Sequence, residues 1–218
     1  MERRATGEQG GGGEPRSDES AIRKAWEAGN ATAAATAAIA QVGPEVLRYL
    51  GGMLVDPALA DDAFSLFCER VWTSLPGFEW RCSLRTWLYV LARRASVDVL
   101  RAEGRRQRHR VHLSDSQLAA VAEQVRTTTF PLLGTEGRSA LARLRDKLSP
   151  DDRTLLLLRV DRRLAWEDLA RIFLDAEAPG DDDFRRESAR LRQRFKLVKD
   201  RLRKMARAEG LLEEDDRK

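Results

Sequence analysis

The sequence predicts an all-α protein: two small helical domains joined by a flexible linker. Three observations carry the prediction. Apolar residues recur at spacings of three and four in every ordered stretch, and no segment alternates with period two. Two sites have the residue order of a helix start, Ser83 before a periodic run and Ser149-Pro150-Asp151-Asp152 before another. Between these two helical groups the chain changes character, with threonines, Pro131 and two glycines in TTTFPLLGTEG.

Residues 1–19 are glycine-rich and charged, too poor in apolar side chains to order themselves, and are expected to be a tail. Residues 20–53 offer a helical stripe of Ile22, Trp26, Ile39, Val42, Val46, Leu47 and Leu50. Gly43-Pro44 is expected to break it, with Pro44 opening the helix that carries Tyr49. The next helix, 58–75, places Leu59, Ala63, Leu66, Phe67, Val71 and Leu75 on one face, and Pro76 ends it. Ser83 then caps a helix whose apolar side is Leu84, Trp87, Leu88, Leu91, Ala95 and Val99, with Arg85, Tyr89, Arg93, Arg94 and Arg101 facing elsewhere. Gly104 weakens that helix, and a basic run to Arg110 leaves it. The first domain is therefore 20–110 and the linker 111–138, the linker holding one short amphipathic piece at 116–125.

The second domain, 139–212, begins with helix 139–148 on Leu141, Leu144 and Leu148. Leu155, Leu156, Leu158 and Val160 are expected to pack behind the Ser149 cap, and 164–174 forms another short helix burying Ala165, Leu169, Ile172 and Phe173. The last helix, about 182–209, repeats Phe184, Ser188, Leu191, Phe195, Val198, Leu202 and Met205 at alternating four and three, while the rest of it is nearly all Arg and Lys. Residues 213–218 are an acidic tail.

The 218 residues are 42% hydrophobic and 34% charged with net charge +4, which describes a soluble chain with packed cores. The modest net charge conceals segregation, with cations at 101–110 and 185–207 and acids at 181–183 and 213–216. Local basic clusters point to polyanion partners. Two cysteines, Cys68 and Cys82, make neither a disulfide framework nor a zinc site, and two histidines, His109 and His112, lie far from them, so no metal and no cofactor is expected. No apolar run approaches the roughly 18 residues of a membrane span, and the expected location is the cytoplasm with no membrane insertion. Nothing looks catalytic, because Asp61-Asp62, Glu69 and Glu79 have no histidine, cysteine or phosphate loop placed to work with them. Asp61-Asp62 reads equally as a helix N-terminal acid pair and as a patch for a basic partner helix.

Two constellations suit nucleic acid. The turn with Phe78 and Trp80, and the helix with Trp87 and Tyr89, put aromatics beside arginines, which fits unstacked bases and phosphates. Trp87 lies on the apolar stripe and is expected in the core. The C-terminal group reads as helix, turn, basic helix, with Arg186, Arg190, Arg192, Gln193 and Lys196 on the half of the last helix that would meet base edges in a major groove.

The run DDAFSLFCERVWTSLPGF…CSLRTWLYVLARR…DVLR resembles region two of bacterial sigma factors of the extracytoplasmic-function group, and LSPDDRTLLLLRV…LAWEDLARIF…ARLRQRFKLVKDRLRKMA resembles their region four. The resemblance implies a non-enzymatic sigma factor that binds core RNA polymerase, directs it to promoters and helps open the DNA. Asp61, Asp62, Ser65, Glu69 and Arg70 would face the clamp helices of the largest subunit, with the flap as a second contact. Phe78, Trp80, Arg85, Tyr89, Arg93 and Arg94 would hold the unstacked −10 strand. Arg186, Arg190, Arg192, Gln193 and Lys196 would read the −35 duplex. An anti-sigma protein is a further candidate partner. The chain departs from the family pattern at Asp62-Ala63-Phe64-Ser65-Leu66, where Gln-Glu commonly follows the acidic pair, and at an insertion, 175–186, between the last two helices. The alternative function is a helix-turn-helix regulator that acts on operators without polymerase.

Overall fold

A computed structural model of the chain describes residues 19–105, 113–136, 140–174 and 179–212. The expected tails, the basic run 106–110, both histidines and the start of the 175–186 insertion lie outside the described residues. All regular structure among the described residues is helical: α1 (Glu19–Glu27), α2 (Ala31–Leu54), α3 (Pro57–Ser74), a 3₁₀ turn (Leu75–Gly77), α4 (Leu84–Gly104), α5 (Ser116–Glu136), α6 (Ala140–Asp146), α7 (Pro150–Leu156), a π-turn (Leu157–Asp161), α8 (Trp166–Phe173) and α9 (Asp181–Ala208).

Local chemistry sets the helix starts. Asn30 accepts from the Ala33 N–H, Asp56 from Ala58, Ser83 from Thr86 and Ser149 from Asp152, and Pro57 and Pro150 stand in the first turn, where no N–H is needed. The expected caps Ser83 and Ser149 are thus both present. At the start of α9 the Asp183 carboxylate accepts from the Gly180 N–H at 3.0 Å.

Three expectations are corrected. Gly43-Pro44 does not break α2, which runs through it. The carbonyl that loses its partner to Pro44 belongs to Ala40, which is exposed and so can be hydrated instead. Gly43 has another purpose: a Cβ there would lie 3.2 Å from a Val125 methyl, so its bareness lets α5 approach α2. The second correction concerns 116–136, which form one long helix. Leu118, Val121, Ala122 and Val125 bury a stripe against the first helices, and that packing outweighs the helix-breaking composition further on. Third, Leu141, Val160 and Ala165, expected in the core, are exposed, because the short α6 and the π-turn present other side chains inward and Ala165 stands at the N-cap of α8.

The main apolar core runs without interruption from Ile22 in α1 to Leu191 in α9 and includes Val125, Leu158, Leu169 and Phe173. A small satellite of Leu148, Leu156 and Val198 ties α7 to α9. The two helical groups therefore share one core, with α4 against α8 and α2 against α7. The insertion residues from Asp181 onward are helical, so they lengthen the N-terminal end of α9.

Candidate nucleic-acid interface

The aromatic turn between α3 and α4 folds its rings inward. Phe78 is buried, stacked on Trp87 at 4.7 Å and tilted against Trp80 at 4.9 Å. Trp80 meets Trp26 edge-on at 5.7 Å, with the Arg23 guanidinium 5.1 Å over its ring. Its φ of +56° is a left-handed conformation that a bulky residue adopts only at a cost of about 1–2 kcal/mol, and its indole N–H is buried without a partner. Packing against α1 holds the turn in this state. Trp87 is partly buried on the core, as its stripe position predicts.

Along α4 the expected cationic face is engaged. Tyr89 is fully buried, which corrects its expected outward position. Its ring packs edge-on to Tyr49 at 5.6 Å, and its hydroxyl donates to Glu45 at 3.3 Å. Arg85 donates twice to the same Glu45 oxygen, at 3.1 and 2.8 Å. Burial raises the Glu45 pKa, yet the hydrogen bond and charge of Arg85, with Arg162 nearby, outweigh it and hold the carboxyl below its ordinary value. Burial pushes the Tyr49 phenol up to about 12. Arg93 lies 4.6 Å over the Phe173 ring of α8 and donates to Asp151 of α7 at 3.1 Å. Beside it, the buried Thr86 donates to Asp168 of α8 at 2.8 Å, and Arg162 reaches the Glu45 carbonyl at 3.3 Å. Arg94 is exposed.

The carboxylate face of α3 meets α5. Asp61 and Asp62 sit beyond the first turn of α3, which holds no acid, so the reading as an N-terminal acid pair is corrected. Arg126 of α5 donates to Asp61 at 2.5 Å and to the buried Ser65 hydroxyl at 2.6 Å, with its guanidinium 5.5 Å over Phe64. Ser65 in turn donates to the Asp61 carbonyl. Arg70 pairs with Asp98 of α4 at 2.6 Å, and Glu69 is exposed.

On α9, Arg190 forms a two-pronged pair with the buried Glu187 at 2.8 and 2.7 Å, and Arg186 pairs with Asp183 at 2.8 Å. Arg192 lies 5.7 Å over Trp166 and 3.8 Å from Glu167, both on α8. Gln193 and Lys196 are exposed. The face is cationic and open to solvent. Among the described residues no group of three or more His, Cys, Asp and Glu could hold a metal ion, and both cysteines are free thiols, Cys68 buried with its pKa raised by that burial.

Residues 38–106, which span most of α2, all of α3 and all of α4, match the family model of Sigma-70 region 2. This match supports membership of the sigma-70 superfamily. Region 2 domains of that family serve RNA polymerase binding and promoter recognition in initiation, and the match supports such a role for residues 38–106. No curated protein and no solved structure matches the chain. No helix among the described residues is long and apolar enough to cross a membrane.

Four residues that hold the region 2 face were not foreseen: Glu45, Arg126, Asp151 and Asp168. Each is an ordinary charge on a helix, and its partner lies 40 to 82 positions away in sequence. No local pattern signals such pairings.

Proposed function

We propose that the chain is a sigma factor of the extracytoplasmic-function type, in which region 2 takes the −10 element as a single strand and the α8–α9 pair reads the −35 element as duplex. The observation that carries the reading is the presence of two cationic helices of different design in one chain. Helix α4 follows an aromatic turn inside a region 2 domain, and α9 carries solvent-facing arginines behind the short helix α8. Aromatic turns suit unstacked bases, and an exposed basic helix suits a groove.

In this reading Phe78, Trp80, Arg85, Tyr89, Arg93 and Arg94 serve the melted strand, and Arg186, Arg190, Arg192, Gln193 and Lys196 serve the duplex. Asp61, Asp62, Ser65, Glu69 and Arg70 serve the clamp helices of the polymerase. An anti-sigma protein belongs to the reading as a further partner. Helices α7 and α8 cover much of the strand face, and α5 covers Asp61 and Ser65. The chain therefore has to open before either surface is fully used.

Run-off transcription with core polymerase on genomic fragments tests the proposal. The expected result is initiation at a defined site. Arg192→Glu then weakens promoter selection on duplex templates but not on pre-melted ones, and Trp80→Ala weakens opening. Operator binding by a stable dimer, with no initiation by core polymerase, would replace this reading with a polymerase-independent regulator.

A further inference from the structure

Helix α1 lies outside the residues that match region 2, yet two of its side chains reach the aromatic turn. The Trp26 indole N–H donates to the Leu75 carbonyl at 2.9 Å, and the Trp26 ring meets Trp80 edge-on at 5.7 Å. Three residues earlier, on the same helix face, the Arg23 guanidinium stands 5.1 Å over the Trp80 ring. Ile22, buried in the main core, anchors the helix that carries both. The residue they hold is the one least at ease in the turn. Trp80 keeps a φ of +56°, which favours glycine, and its Nε1–H is buried with no acceptor. Both costs vanish if the Trp80 backbone moves to an ordinary extended conformation and the indole N–H turns to water.

We propose that α1 is a latch on the aromatic turn, with Arg23 and Trp26 as positioning residues that hold Trp80 in a conformation it leaves once they let go. A strained backbone and an unpaired buried donor persist only where the surroundings over-determine them. From outside the turn, α1 supplies that grip: a cation over the ring, an edge contact, and a hydrogen bond that ties α1 to the start of the turn. Phe78 does not need the latch, because its ring is stacked on Trp87. Release therefore moves Trp80 and leaves the base of the turn in place. A freed indole face is a surface on which a base can stack. That consequence, a latched turn that captures a strand poorly and a released turn that captures it well, rests on the strand-binding role proposed above. The latch itself does not.

Hydrogen exchange of the indole N–H groups, followed by two-dimensional nitrogen–proton spectra of the full-length chain without polymerase, reads the latch directly. The Trp80 signal is the one missing in Trp80→Phe. Its exchange should be slow in the parent. Arg23 is half-exposed, so Arg23→Gln leaves the fold intact, and it should speed Trp80 exchange about two- to fivefold through loss of one cation–π contact. Trp26→Phe, which also gives up the bond to Leu75, should speed it further. The signals of Trp72, Trp87 and Trp166 should keep their rates in both variants. Glu27→Gln removes the ion pair that Arg23 makes within α1 and should change nothing. The latch is overturned if Trp80 keeps its rate in both Arg23→Gln and Trp26→Phe, if all the indoles speed up together, or if Glu27→Gln does as much as Arg23→Gln. Fluorescence anisotropy with a labelled dodecamer of deoxythymidine then tests the consequence. Arg23→Gln should bind it more tightly although it has lost a positive charge, which a merely structural role for Arg23 would not produce. Faster Trp80 exchange with no tighter binding keeps the latch and removes Trp80 from the strand contacts.

Discussion

Glu45 joins three partners from two other parts of the chain: Arg85 and Tyr89 on α4 donate to its carboxylate, and its backbone carbonyl accepts from Arg162 after the π-turn. Because its carboxyl is held below the ordinary value, the ionised form is the one the fold favours. A depressed carboxyl adds stability above its unfolded pKa and loses it as pH falls through the folded value. Melting temperature should therefore drop on acidification below about pH 4.5, the ordinary value for this group. In Glu45→Gln that part of the drop should be missing, while stability at neutral pH should be lower than in the parent. Thermal melts of both proteins between neutral and acid pH check the sign. A Glu45→Gln curve parallel to the parent's would remove Glu45 from the account. This carboxylate was invisible beforehand because it follows Pro44, a position read only as a helix break.

At the scale of elements, α2 carries a cost that its neighbours offset. An internal proline forfeits one hydrogen bond and crowds the preceding turn, at about 3 kcal/mol in an unsupported helix. Helix α2 accepts it because both ends of the segment are buried, from Ala34 and Ala38 to Leu50 and Met53, and α1, α3, α4 and α5 all pack against it. Pro44→Ala restores the missing donor to the Ala40 carbonyl and should raise unfolding stability by about 1–3 kcal/mol in urea melts. A loss of stability would mean that the ring itself packs usefully. The same comparison explains α5. Its first half was readable from Leu118, Val121, Ala122 and Val125, but its continuation to Glu136 depends on Gly43 leaving room for Val125 and on Arg126 finding Asp61 and Ser65. Those are contacts with residues more than 60 positions earlier, and composition near the helix cannot encode them.

For the whole molecule, the consequential feature is closure. The partners of Thr86 and Arg93 are Asp168 and Asp151, and Phe173 lies against the Arg93 guanidinium, so α7 and α8 occupy part of the face assigned to the melted strand. Each of these polar contacts is worth about 0.5–1.5 kcal/mol, and a partner that binds either face more strongly than this sum opens the chain. Dyes on Gln41→Cys of α2 and Lys199→Cys of α9, both exposed, with Cys68→Ala and Cys82→Ser to remove the native thiols, report the opening. Energy transfer should be high in the free protein and fall when core polymerase binds. Unchanged transfer in a complex that initiates transcription would show that the strand face is used with the two groups still joined.

The sequence by itself determined the all-α class, the caps at Ser83 and Ser149, the core positions of Trp87 and of the α3 stripe, and the basic character of α4 and α9. These follow from interactions within a few residues, where period, capping and charge are written side by side. Only the tertiary structure decided that α2 survives Pro44, that the rings of the 78–80 turn face inward, and that one core joins both helical groups. It also decided which acids hold which arginines. With 39 Lys and Arg against 35 Asp and Glu, the chain offers far more possible pairs than it forms, and packing geometry alone selects Glu45 for Arg85, Asp61 for Arg126 and Asp151 for Arg93.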